Sequence, residues 1–481
     1  MKAISRRRLA LLLLALLVAG LPARAAVLAR WIQIGPGDFG ADPLAGVTVL
    51  ARALVGQGEA CPSLDIDGTP AAMATRFDGI FPAPVSPQPR PAPGFAVKAC
   101  EAVVPPSHAV ARIGGVAMRL PPAAVRRLVV LGDSGCRRAQ GKLQDCADPA
   151  AFPFARIAAR AAAEHPDLVI HVGDYFYRDI GGDPEGPAFP WGDNWPAWQA
   201  DFFAPAGPLL QAAPWVMIRG NHENCGRGAQ GWFALLEPAP LDPALLACRP
   251  ETEWAGAPFA AAFRPGYVVP LGGRRNLVVF DSSGAPDRPD PARPEPRASI
   301  AARYRQEWEA ILARLPGGSA SLLATHKPLY GMVATAPETA GNTTLQYMIY
   351  GTGQGVPPRI GLVLSGHLHA WQHLDFADAA RHVPQLVIGT GGDWLDPPLD
   401  PTSPVFARRD MVFRLHAAAD PAQATEILVR KAFSERRFGY AVLVAVGKGF
   451  RITFHDPGGR VLDRCTLTLN RERRLDCAPA G

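Results

Sequence analysis

From residue 127 onward, short runs of Val, Ile and Leu recur along the chain, and each closes on glycine or a polar residue. "RLVVLGD", "DLVIHVGD", "APWVMIRGNHE", "RNLVVFDSS", "ASLLATH", "RIGLVLSGHLH" and "PQLVIGTGGD" are too short for helices and read as buried strands. Between them, "FARIAARAAAEH" (154–165, stopped by Pro166), "NWPAWQADFF" and "ASIAARYRQEWEAILARL" read as helices. Strands alternating with helices predict an α/β domain. The last part, "FGYAVLVAVGKGFRITFHDPGGRVLDRCTLTL", predicts antiparallel strands turning at Gly447-Lys448-Gly449 and Pro457-Gly458-Gly459.

Upstream the pattern differs. Residues 26–124 are irregular and rich in Pro and Gly. "FPAPVSPQPRPAPG" (81–94) cannot be helical, because proline has no amide donor. Strand-like pieces such as "GVTVLARAL" flank it, which predicts a small β-rich N-terminal module. Before that, "MKAISRRRLALLLLALLVAGLPARA" combines a basic start, an apolar run from Leu9 to Leu21 and a small-x-small pattern at Ala23-Arg24-Ala25. The run is shorter than the ~20 residues that span a bilayer, so residues 1–25 read as a cleaved signal peptide. "SRRRLAL" resembles a twin-arginine export signal. The expected division is therefore a leader at 1–25, the β-rich module at 26–124 and a catalytic domain at 125–481. The expected destination is the periplasm or the exterior.

Composition narrows the class. A chain of 481 residues with 48% hydrophobic and 19% charged residues is globular and long for a single core. The net charge of +6 comes from scattered Arg. No basic run is interleaved with aromatics, so a nucleic-acid groove is not expected, and the rest of the sequence offers no other transmembrane candidate. Eight Cys behind a leader predict disulfides. They fall into four local pairs, which favours sequential pairing: Cys61–Cys100, Cys136–Cys146, Cys225–Cys248 and Cys465–Cys477. No CxxC is present, so a zinc knuckle or redox motif is not expected.

The chemistry lies at the strand ends. Five strands finish on metal-favouring residues: Asp133 in "LGDSG", Asp174 and Tyr177 in "VGDYFY", Asn221 and His222 in "RGNHE", His326 in "ATHKP", and His367 and His369 in "SGHLH". In α/β sheets ligands gather at the carboxyl ends of strands, so these ends converge by architecture. Any one of them alone is an ordinary turn. "GTGGD" lacks the Lys-Ser/Thr of a P-loop and reads as a tight turn under the site. "GDSG" is not a nucleophile elbow, since no G-x-S-x-G occurs.

The ordered set GD, GDxxY, GNHE, a strand-terminal His and GHxH resembles the calcineurin-like metallophosphoesterases, and GDxxY resembles their purple acid phosphatase branch. The resemblance covers about residues 127–395 and implies a four-layer β-sandwich flanked by helices, with the C-terminal strands completing the second sheet. It implies two metal ions: the first held by Asp133, Asp174, Tyr177 and His369, the second by Asp174, Asn221, His326 and His367. Many superfamily members carry Asp-x-His in the first motif, whereas this chain has Asp133-Ser134-Gly135. Tyr177 is placed to fill that vacancy, and a phenolate suits ferric iron at the first position. Iron, zinc or manganese fits the second. The implied reaction is hydrolysis of small phosphate monoesters by hydroxide generated on the metals, with His222 stabilising the phosphoryl group and protonating the leaving group. A phosphodiesterase or nucleotidase, and a non-catalytic phosphate-binding protein, are the alternatives. A second His that related enzymes carry after the fourth motif is absent from "THKPLYGMVATAP", which leaves Lys327, Tyr330 and Arg137 as candidate substitutes. His171 is expected in the core or behind the ligands, and His373 at most beside the site.

Overall fold

The computed structural model describes residues 26–38, 42–81, 94–105, 110–139, 142–178, 192–247, 263–288, 297–334, 341–399, 411–416, 424–469 and 472–480. The expected leader, most of the Pro-rich run and Cys248 lie outside these residues.

Two large sheets face each other. The strands of the first are β1 (Ala29–Asp38), β2 (Asp42–Gly56), β3 (Ala74–Phe77), β4 (Val97–Val104), β5 (Arg127–Leu131), β6 (Leu168–His171) and β7 (Trp215–Met217). The second holds β8 (Tyr267–Gly272), β9 (Arg275–Phe280), β10 (Ala320–Thr325), β11 (Ile360–Ser365), β12 (Trp371–Phe376), β13 (Gln385–Ile388), β14 (Met411–Leu415) and β15 (Thr425–Glu435). The chain then returns to the first sheet with β16 (Tyr440–Val446), β17 (Gly449–His455), β18 (Val461–Thr468) and β19 (Arg474–Pro479). The first sheet runs β19-β18-β17-β16-β5-β6-β7-β1-β2-β4-β3, and the second β8-β9-β10-β11-β13-β12-β15-β14. The helices that matter are α1 (Phe154–Ala163), α2 (Ala204–Ala212), α3 (Arg297–Arg314) and α4 (Thr343–Tyr350).

The layering follows from the period of two along each strand. In β5, Leu128 and Val130 point inward, against Leu277, Leu322, Leu362 and Leu386 of the second sheet. Val129 and Leu131 point outward, onto Phe154 and Ile157 of α1 and Leu209 of α2. On the far side, Val278, Leu323 and Val363 meet Ile300, Tyr304 and Trp308 of α3 and Met348 of α4. Strands buried on both faces need near-continuous apolar runs, which is what β5, β6, β10 and β11 carry. The result is the expected helix–sheet–sheet–helix sandwich.

Two placements differ from expectation. Strands β16 to β19 do not complete the second sheet; β16 pairs antiparallel with β5, at Val442 opposite Val129, and the three that follow extend the first sheet. The N-terminal region is β-rich as expected, yet β1 pairs in parallel with β7, at Gln33 opposite Trp215. Its strands β1 to β4 thus continue the first sheet, while a small four-stranded sheet lies beside them. Buried arginines tie this region down further. Arg52 donates to the carbonyls of Leu235 and Glu237, and Arg76 to those of Phe233 and Ala234. Three disulfides pair as expected, Cys61–Cys100, Cys136–Cys146 and Cys465–Cys477.

Candidate metal centre

Strands β5, β6, β7, β10 and β11 all end at one edge of the sandwich, and each is followed by a proposed ligand. The backbone there is unusual. Asp133, Asp174 and His367 have φ of 56°, 57° and 70°, a left-handed conformation that non-glycine residues seldom adopt and that concentrates at functional sites. Neighbouring glycines make the close approach possible. A Cβ on Gly220 would lie 1.9 Å from Asp174 Oδ1, and one on Gly366 would lie 2.3 Å from Asp133 Oδ2.

One half of the site centres on Tyr177, whose side chain is fully buried. Its hydroxyl lies 2.7 Å from Asp133 Oδ1, 2.8 Å from Asp174 Oδ2 and 3.0 Å from His369 Nε2. The ring nitrogen on the far side of His369, Nδ1, faces the Trp394 carbonyl at 2.9 Å and Asp393 Oδ2 at 3.2 Å. Asp393 is the acid of "GTGGD", and its carboxylate is gripped by Arg137. The Arg137 guanidinium lies 4.6 Å from the centre of the Tyr177 ring. Arg137 therefore braces the first half of the site.

The other half centres on His326. Its Nδ1 faces the Val172 carbonyl at 2.9 Å. Its Nε2 lies 3.0 Å from Asn221 Oδ1 and 3.2 Å from Asp174 Oδ2. Potential ligand atoms of Asp174, His326 and His367 fall within 4.8 Å of one another. Asp174 belongs to both halves. The His222 amide donates to Asp174 Oδ1 at 2.8 Å, and the His222 ring sits 4.1 Å from that of Tyr177. All eight sequence-predicted residues thus come together at one edge.

Whether this pocket suits cations can be tested on its hydrogen atoms. One phenol hydrogen cannot serve both Asp133 and Asp174, and His326 Nε2 faces two oxygen acceptors. The donor set is short of positive charge. Burial works against a charged imidazole, yet Asp174 beside His326 pushes its pKa up to about 9. Burial likewise opposes charge on His369, and Asp393 and Asp133 push it up to about 9. Burial, then Asp133 and Asp174, hold the Tyr177 phenol well above its usual range. Protons are thus drawn to where cations would sit, and the residues fit metal ions.

Several partners were not read from the sequence. Glu223 is fully buried and accepts from the amides of Gly220, Asp174, Tyr175 and Phe176 at 2.9, 3.1, 2.8 and 3.3 Å. It locks the loops after β6 and β7 together. Its only signal was its place in "GNHE". Asp201 accepts from the Tyr177 amide at 3.1 Å. Asp287 lies 3.2 Å from His367 Nε2. Among the candidate substitutes, Lys327 Nζ donates to the Ala285 carbonyl at 2.7 Å, and Tyr330 is buried in the core with its hydroxyl on that of Tyr350. His171 is buried, with Nε2 at 2.8 Å from Ser134 Oγ. His373 faces Asp463 of β18.

The family described as calcineurin-like phosphoesterase matches residues 126–371. No curated protein sequence matches the chain. A purple acid phosphatase from yellow lupin (Lupinus luteus) seeds superposes with a TM-score of 0.51 at 15% identity, over 92% of this chain and 74% of that one. PhoD superposes with a TM-score of 0.46 at 12% identity, over 95% of this chain and 93% of that one. At such identities the likeness is one of fold.

Proposed function

The chain belongs to the calcineurin-like phosphoesterase family, and we propose that it is a two-metal hydrolase of phosphate monoesters, of acid phosphatase type. The observation that carries this reading is Asp174, whose Oδ2 lies within 2.8 Å of the Tyr177 hydroxyl and 3.2 Å of His326 Nε2. A carboxylate shared by two donor sets is what a pair of ions needs.

Asp133, Asp174, Tyr177 and His369 would hold the first ion, and Asp174, Asn221, His326 and His367 the second. The phenolate favours ferric iron in the first position; iron, zinc or manganese suits the second. When bound, the ions supply Lewis acidity toward water and toward the phosphoryl oxygens. His222 is not a ligand in this assignment, and its ring would donate a proton to the departing alkoxide. Arg137, Asp393 and Glu223 would keep the ligands in register. The disulfides fit an exported protein, periplasmic or extracellular, that meets small phosphorylated substrates there. Among the described residues no helix is long and apolar enough to cross a membrane.

Metal analysis, a visible spectrum and turnover of p-nitrophenyl phosphate against bis(p-nitrophenyl) phosphate test the proposal. The expected outcome is two metals per chain, a tyrosinate-to-iron band and preference for the monoester. Chelation should abolish turnover, and His222→Ala should lower kcat by ~10²–10⁴. Preference for the diester would move the reading to a phosphodiesterase. Metal-loaded protein that turns over neither ester would overturn it.

A further inference from the structure

The three histidines proposed as metal ligands are not held alike. His326 and His369 each direct Nδ1 at a backbone carbonyl, Val172 and Trp394, at 2.9 Å. Their Nε2 atoms face the centre of the site. His367 is reversed: its Nε2 lies 3.2 Å from Asp287 Oδ2. A carboxylate only accepts, so the hydrogen of the neutral ring is on Nε2, and Nδ1 is left as the nitrogen with a free lone pair.

Asp287 is itself fixed from several sides. Its Oδ1 accepts from Asn342 Nδ2 at 2.9 Å. Its Oδ2, the oxygen facing His367, is also 3.5 Å from Lys327 Nζ. Its carbonyl accepts from the Thr343 amide at 3.0 Å and from the Thr343 hydroxyl at 2.8 Å. Asn342 in turn caps α4, since its Oδ1 accepts from the Leu345 amide at 2.8 Å. Lys327 follows His326 directly. The Asp287 carboxylate is therefore anchored to a helix start and to a lysine adjoining another proposed ligand, and is no free surface acid.

We propose that Asp287 is a positioning residue that fixes the Nε2–H tautomer and the orientation of His367, so that this ring binds the second metal through Nδ1. The inference rests on the assignment of His367 to the second ion. A carboxylate behind an imidazole ligand orients the ring and raises its basicity, and losing it typically costs 10–100-fold in metal affinity.

The test measures Zn²⁺ affinity at the second position by competition with a chelator, in protein that keeps its first metal. Asp287→Ala is expected to weaken that affinity ~10–100-fold, to leave the first metal in place, and to regain phosphoesterase turnover in excess Zn²⁺. Asp287→Asn keeps the volume and an acceptor oxygen, so a smaller loss is expected; it carries the test if the alanine variant does not fold. Rescue by excess metal separates positioning from general destabilisation, which added Zn²⁺ would not cure selectively. Unchanged Zn²⁺ affinity in both variants would overturn the inference. His367→Ala is the control on the underlying assignment: it should lose the second metal. If it retains two equivalents, the ligand set is wrong, whatever Asp287 does.

Discussion

Tyr177 is the residue on which the character of the site turns. Its hydroxyl sits among two carboxylates and an imidazole, and without a cation the phenol keeps its proton. Tyr177→Phe removes the one phenol of the proposed ligand set, the donor that would give a visible charge-transfer band with ferric iron. The variant should be colourless, weakened in its first metal and still able to bind the second. A band that persists would show that the phenol is not a ligand. The acids and imidazoles that meet Tyr177 were legible in the sequence because each closes a strand within a few residues of its own apolar run. Their partners were not. Glu223 stands 48 residues from the Tyr175 amide it accepts from, Asp287 is 80 residues from His367, and Asp393 is 256 residues from Arg137. A hydrogen bond across such a separation leaves no local pattern. Only the fold brings its ends together.

At the scale of the element, the loop after β5 is shaped by what it cannot contain. A Cβ on Gly135 would lie 2.8 Å from the Tyr175 carbonyl and 2.9 Å from the Tyr177 amide. Any side chain there pushes on the β6 loop that carries Asp174 and Tyr177. Gly135→Ala should therefore cost about 1–3 kcal/mol, as overpacking does, and should perturb the first metal more than the second. Thermal unfolding and metal titration measure the two effects; a variant as stable as the parent, with both affinities intact, would show that the loop yields freely. The central strands and α3 were readable because their periods are unambiguous. Helix α4 was not, because "TTLQYMIY" has the Thr, Tyr and Ile of a strand. Asn342 as its cap and burial of its apolar side decide for helix. Strand β16 was recognised as a strand but assigned to the wrong sheet. Its apolar residues suit either sheet, and the choice of neighbour is a matter of topology.

On the scale of the whole molecule, the N-terminal strands are structural members of the first sheet, which carries part of the proposed site. Deleting residues 26–105 would strip β7 of β1 and expose a parallel edge. It would also remove Arg52 and Arg76, leaving the carbonyls of residues 233–235 and 237 without these donors. An open edge and unpaired buried carbonyls both favour aggregation over folding. The truncated chain should be insoluble or lack a cooperative melt. A soluble, metal-loaded and active truncation would make the N-terminal region a separable module.

The same sheet has a consequence in time. Strand β5 leads into Asp133, with β6 on one side and β16 on the other. A ribosome makes β5 early and β16 only after the whole second sheet has emerged. Until then one flank of the strand that leads into the first proposed ligand stays bare, and until residue 393 is made Arg137 lacks Asp393 as its partner. The proposed centre would be among the last parts of the molecule to exist, so metal loading should follow completion of the chain rather than guide it.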